Sequence, residues 1–150
     1  MARFAGTYDE TFTVNVPLDR AKEHFGDLDE IAKAYPDLKS HEKIDDKTLR
    51  FRLNPKSALG MTFAGSYDCI YEFKGDSKLV WRTVGSDANI FTDGWMEFSS
   101  VGDKTRVVYH ERMECEIPIN RLLAKALKPI VDRDIAGGCK EYLVRIRKSL

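Results

Sequence analysis

The chain has 150 residues, enough for one domain with its own core, and its 24 basic and 24 acidic residues cancel. That balance leaves no basic surplus to favour nucleic acid, and no apolar run approaches the length of a membrane span. Cys69, Cys115 and Cys139 are odd in number and widely spaced, which gives neither a disulfide framework nor a metal motif and suits a reducing cytoplasm.

The chain opens Met-Ala-Arg-Phe-Ala-Gly, without the apolar stretch of a secretory signal. From Phe4 to Val16 the even positions Phe4, Gly6, Tyr8, Phe12, Val14 and Val16 alternate with Thr7, Asp9, Thr11, Thr13 and Asn15. Period two marks a half-buried strand. Glu10 breaks the pattern on the inner side: either a bulge or rim position turns it outward, or it points inward. Pro17 fits the first turn of a helix. Leu18, Ala21 and Phe25 make one short apolar face, Gly26-Asp27 breaks it, and Leu28, Ile31, Ala32 and Tyr35 make a second before Pro36.

After Pro36 the chain reads as a meander, with strand-like segments near 38–44, 48–53, 61–73, 78–84, 90–99 and 105–117. Asp45-Asp46-Lys47, the stretch from Asn54 to Gly60, Gly75-Asp76-Ser77, Gly85-Ser86-Asp87 and Gly102-Asp103-Lys104 supply turns between them. Short turns make antiparallel neighbours. Met61, Phe63, Gly65, Tyr67, Cys69, Tyr71 and Phe73 share one strand face, and Thr105, Val107, Tyr109, Glu111, Met113, Cys115 and Ile117 share another, again with one charge among them.

The last segment, Asn120 to Leu150, repeats apolar residues at helical spacing: Leu123, Leu127, Ile130, Val131, Ile135, Tyr142, Ile146 and Leu150. Lys125, Lys128, Arg133, Lys140 and Arg147 fall on the solvent side. Such a helix is long enough, at roughly 45 Å, to cross a small domain. Pro129 kinks it or starts it. Gly137 and Gly138 are costly in a helix: they are a weak spot, or a side chain at Gly138 would strike the sheet or a ligand. Asp134 flanks the apolar face or turns inward. The order is strand, two short helices, six strands, long helix: an α+β chain whose one-faced sheet finds its large partner in the last helix.

Phe4-Ala5-Gly6-Thr7 through Val14-Asn15-Val16-Pro17, then Phe25, Asp27, Ile31-Ala32 and Tyr35-Pro36, resemble the START/polyketide cyclase-like superfamily, nearest its carbon monoxide dehydrogenase G-type branch. Thr105-Arg106-Val107-Val108-Tyr109 resembles that superfamily's last strand. The chain departs from the pattern in having Phe25 where members often have Trp, and Asp37 where Gly often follows the proline. The resemblance implies a helix-grip fold, a curved seven-stranded antiparallel sheet closed by the C-terminal helix over a hydrophobic cavity. It also implies that the first and last strands are neighbours, so that Tyr8 and Glu10 face the same interior as Tyr109 and Glu111. Of two carboxylates there, one would be pushed to the neutral form; the alternative is that both lie at the sheet ends in water or pair with Arg or Lys.

His24, His41 and His110 lack metal-ligand spacing and read as surface residues. No nucleophile elbow, phosphate loop or dinucleotide fingerprint occurs, and neither cofactor nor metal is implied. Candidate acid/base residues are Glu10, Glu111, Asp134 and Tyr109. Candidate ligand contacts are Tyr8, Phe51, Phe63, Tyr67, Trp81, Met96, Tyr109 and Met113 from the sheet and Leu127, Val131 and Gly138 from the helix, although such residues can equally fill a core. Three functions follow as expectations. One is a carrier or sensor of a small hydrophobic molecule such as a fatty acid, quinone or polyketide-like ring. The second is a cyclase, dehydratase or hydrolase. The third is an accessory protein for a metalloenzyme or membrane complex. Trp95 and Phe91, on the face opposite Met96 and Phe98, would serve a homodimer interface if exposed.

Overall fold

In the computed structural model, which describes residues 1–150, the alternating N-terminal stretch forms strand β1 (Ala2–Val14). Helices α1 (Leu18–Phe25) and α2 (Leu28–Ala34) follow. Pro17 stands just before the first turn of α1. Asp27 caps α2, its side chain accepting from the Asp29 and Glu30 amides at 2.8 and 3.4 Å, which satisfies donors that a helix start leaves free. Strands β2 (Leu38–Lys43), β3 (Thr48–Leu53), β4 (Lys56–Ala58), β5 (Met61–Phe63), β6 (Ser66–Lys74), β7 (Lys78–Val84), β8 (Ile90–Val101) and β9 (Lys104–Ile117) lead to helix α3 (Arg121–Lys148).

Seven strands make one sheet in the order β1-β9-β8-β7-β6-β3-β2, every pairing antiparallel. β4 and β5 pair only with each other. The strand expected over 61–73 thus divides, and the stretch read as a turn from Asn54 to Gly60 supplies half of a small hairpin. Gly65 sits at the division, where a Cβ would come 2.9 Å from Leu53 Cδ1. A side chain there would have to push aside the tips of Leu53 and Ile90.

α3 runs unbroken through Pro129, Gly137 and Gly138. Asn120 caps it by accepting from the Leu123 amide at 2.9 Å. Its buried residues are Leu127, Ile135, Cys139, Leu143 and Ile146. Leu143 was absent from the expected face, yet it is fully buried. The helix settles onto β1 at Gly6, where a Cβ would come 3.3 Å from Ile135 Cγ2.

The C-terminal end of α3 is tied down by residues far away in sequence. His24 is buried, not at the surface: its Nε2 lies 2.8 Å from the Ile146 carbonyl and 3.1 Å from the Ser149 hydroxyl. Arg147 is not in free solvent either. Its guanidinium lies 4.3 Å over the Phe12 ring and 3.0 Å from Glu10. On the outer sheet face Trp95 lies under Lys78 at 4.9 Å and against His110, while Arg3 covers Phe91 at 5.3 Å. Neither aromatic is openly exposed.

Candidate functional site

Cross-strand pairing places Tyr71, Trp81, Gly94, Glu111 and Tyr8 in one rank over β6, β7, β8, β9 and β1. Gly94 decides what this rank can do. A Cβ there would come 2.5 Å from the Trp81 indole nitrogen. With no side chain on β8, the indole lies across that strand and Trp81 Nε1 donates to Glu111 Oε2 at 2.5 Å. The Tyr109 hydroxyl donates to the same oxygen at 3.4 Å, and its ring stacks on Trp81 with centroids 5.6 Å apart. Glu111 Oε1 is buried and has no partner. Burial pushes the Glu111 carboxyl up to about 8 even though Trp81 and Tyr109 favour its charged form, so at neutral pH the neutral acid predominates.

Between this face and α3 lies a cavity of about 520 Å³, within the roughly 300–1,000 Å³ range of small-molecule sites. Of its 31 lining residues 21 are hydrophobic, so its few polar groups can orient a guest within a mostly apolar wall. Asp37, Asn54, Lys56, Ser57 and Asp134 line it from exposed positions and form the rim, with Asp37 and Lys56 paired at 3.1 Å. Tyr67, Trp81, Thr92, Tyr109 and Glu111 line it from buried positions. The Tyr35 and Tyr67 hydroxyls hydrogen-bond to each other.

Most of the sequence candidates converge on this space. Phe63, Tyr67, Trp81, Met96, Tyr109, Glu111, Met113, Leu127, Val131, Asp134 and Gly138 all line it. Phe51, Tyr8 and Glu10 do not. Phe51 is fully buried beneath Tyr35, ring on ring at 4.5 Å, and forms core. Glu10 shares a sheet face with Glu111, but β1 and β9 pair without a register shift, so no bulge turns it. Arg147 and the Tyr8 hydroxyl, at 3.0 and 2.7 Å, hold Glu10 toward the end of α3. Of the two arrangements open for Glu10, pairing with a base is the one formed; it does not join Glu111, whose shift comes chiefly from burial.

Asp134 stands at the exposed rim and not in the interior. A Cβ on Gly138 would meet no protein atom within 4 Å, so the collision with the sheet expected at that position is absent and the glycine opens onto the cavity. Tyr35, Tyr71 and Tyr142 also line the wall and were not among the candidates. Strand alternation marked Tyr71, and helical spacing marked Tyr142 and Tyr35, the last at the C-terminal end of α2. Burial pushes the Cys69 and Cys139 thiols up to about 12 and Cys115 to about 11, which leaves them as thiols and poor nucleophiles at neutral pH. No three His, Cys, Asp or Glu side chains are grouped to hold a metal ion.

No protein-family pattern and no curated protein matches the sequence. Solved structures do match the fold. An aromatase/cyclase from a Streptomyces species superposes with a TM-score of 0.72 at 11% identity, over 97% of this chain and 93% of that one. A START superfamily protein from Mycobacterium smegmatis gives 0.65 at 14% identity, over 93% and 92%. A truncated norcoclaurine synthase from Thalictrum flavum gives 0.62 at 11% identity, over 99% and 94%. These likenesses do not single out the carbon monoxide dehydrogenase G-type branch. What they share with this chain is its whole architecture, an antiparallel sheet gripping a long C-terminal helix: the chain has the helix-grip fold, the fold also of that START superfamily protein and that aromatase/cyclase.

Proposed function

We propose that this protein binds a small hydrophobic molecule in the space between its sheet and α3, as a carrier or sensor. The observation that carries the reading is the cavity itself: about 520 Å³, largely apolar, with an exposed rim and a single buried carboxyl. Apolar surface left facing such a space gains by meeting a guest in place of water. The three cysteines are free, buried and uncharged, which fits a cytoplasmic protein. No helix is long and apolar enough to cross a membrane.

Binding of N-phenyl-1-naphthylamine, an uncharged dye that brightens in apolar surroundings, tests the reading. A saturable rise in its fluorescence on the folded protein is the expected result. No saturable signal, together with no molecule retained by the purified protein in native mass spectrometry, would sink it. A second reading, an enzyme using acid/base chemistry, is favoured by one observation. Glu111 is a buried acid whose carboxyl is pushed up to about 8, flanked by Tyr109, in a largely apolar cavity. Turnover of a cavity-bound carbonyl compound that disappears in Glu111→Gln would move the assignment to that reading.

A further inference from the structure

Four charged side chains line the cavity: the acids Asp37, Asp134 and Glu111, and the single base Lys56. Asp37, Asp134 and Lys56 stand at the exposed rim, and Lys56 is already engaged with Asp37 at 3.1 Å. Glu111 is thus the one charged side chain of the interior, and no lysine, arginine or histidine lines the wall beside it. Its neighbours are the aromatic Trp81 and Tyr109, whose polar tips both point at Oε2. Oε1 is buried without a partner. A carboxyl oxygen stranded in this way costs free energy that a polar group brought by a guest recovers. An anionic group in the same place would shed its water and find no cation beside it.

Building on the binding function proposed for this cavity, we propose that the guest carries a hydroxyl or protonated-amine head seated against Glu111, with its apolar remainder directed to the rim, and that carboxylate-headed molecules are refused. A hydroxyl can donate to Oε1 or accept from it, so it meets the carboxyl in either protonation state. An ammonium meets the ionised form, and the faces of Trp81 and Tyr109 attract it further. On this proposal fatty acids, one of the ligand classes expected from the sequence, bind weakly.

The test uses the full chain and three probes of equal chain length, 1-decanol, decylamine and decanoate, each competing with N-phenyl-1-naphthylamine at neutral pH. Decanol and decylamine displace the dye, and decanoate does so at least about tenfold more weakly. Glu111→Gln separates the two favoured heads. The amide still hydrogen-bonds an alcohol but carries no charge, so decylamine weakens about tenfold while decanol changes by less than about threefold. Decanoate binding as tightly as the other two overturns the proposal. So does a Glu111→Gln protein that prefers decylamine over decanoate as strongly as before. If the variant does not fold, the ranking on the unmodified protein decides alone. Dye that never binds removes the cavity reading and this proposal together, an outcome distinct from binding in the wrong order.

Discussion

Gly94 and Glu111 show how much one missing side chain determines. The Trp81 indole crosses β8 only because Gly94 leaves the surface flat, and its bond to Glu111 depends on that crossing. Gly94→Ala puts a methyl group inside the indole and should cost about 1–3 kcal/mol, read by denaturant unfolding, with Trp81 released from Glu111. A stability unchanged from the parent would mean that the indole has room elsewhere. Glu111 itself links folding to pH. Its carboxyl holds a proton up to about 8 in the folded protein, well above the ordinary glutamate range that applies to the unfolded chain. Stability is full below the unfolded pKa, declines as pH rises through the interval, and levels out above about 8. Glu111→Gln has no such proton to lose, so its melting temperature relative to the parent should be more favourable at about pH 9 than at about pH 5. An equal difference at both would show that the carboxyl ionises freely. The sequence exposed Glu111 as a charge on an apolar strand face. It could not expose the role of Gly94, because the partner that lies over a glycine depends on register between strands.

At the scale of elements, α3 is held unevenly. Four of its five buried residues, Ile135, Cys139, Leu143 and Ile146, lie in its second half, where Arg147 and His24 add polar ties. The first half covers the cavity with Leu127, Ile130 and Val131. Pro129 removes one helical hydrogen bond there, on an exposed side. Amide hydrogens over 121–130 should exchange at least about tenfold faster than those over 139–148, measured by mass spectrometry on the unliganded protein. Uniform protection along the helix would contradict this uneven hold. Spacing alone located Leu127, Ile135 and Ile146. It passed over Leu143, which shares their buried side, and it put Arg147 in solvent because neither Phe12 nor Glu10 is near it in sequence. The divided strand at Gly65 was equally out of reach, since alternation continues unbroken across the point where the chain changes sheets.

Over the whole molecule, the alternation of strands and the one-sided final helix were enough to predict a sheet closed by a helix, and to place most, not all, of the inward side chains: Leu143 was missed, and Phe73, put on an inner face, is exposed. Periodicity assigns a direction to a side chain but no distance to the opposite wall. Whether Tyr67, Met96 and Met113 would meet across the middle or stand apart was therefore not legible, and Phe51, with the same pattern, proved to be packing. Gly138 allows the empty middle to be tested without disturbing its walls. Gly138→Leu removes a helix-destabilising glycine worth roughly 0.8–1 kcal/mol and projects a side chain into open space, so the protein should melt higher and bind the dye at least about tenfold more weakly. Tight binding retained by a stabilised variant would place the dye elsewhere. The lopsided fastening of α3 carries over to kinetics. If the proposed cavity is the site, its guest lies beneath the half of α3 with the fewest buried residues, and its escape past the rim should quicken as the first turns open. Tightening those turns would lengthen residence time without adding a single contact to the guest.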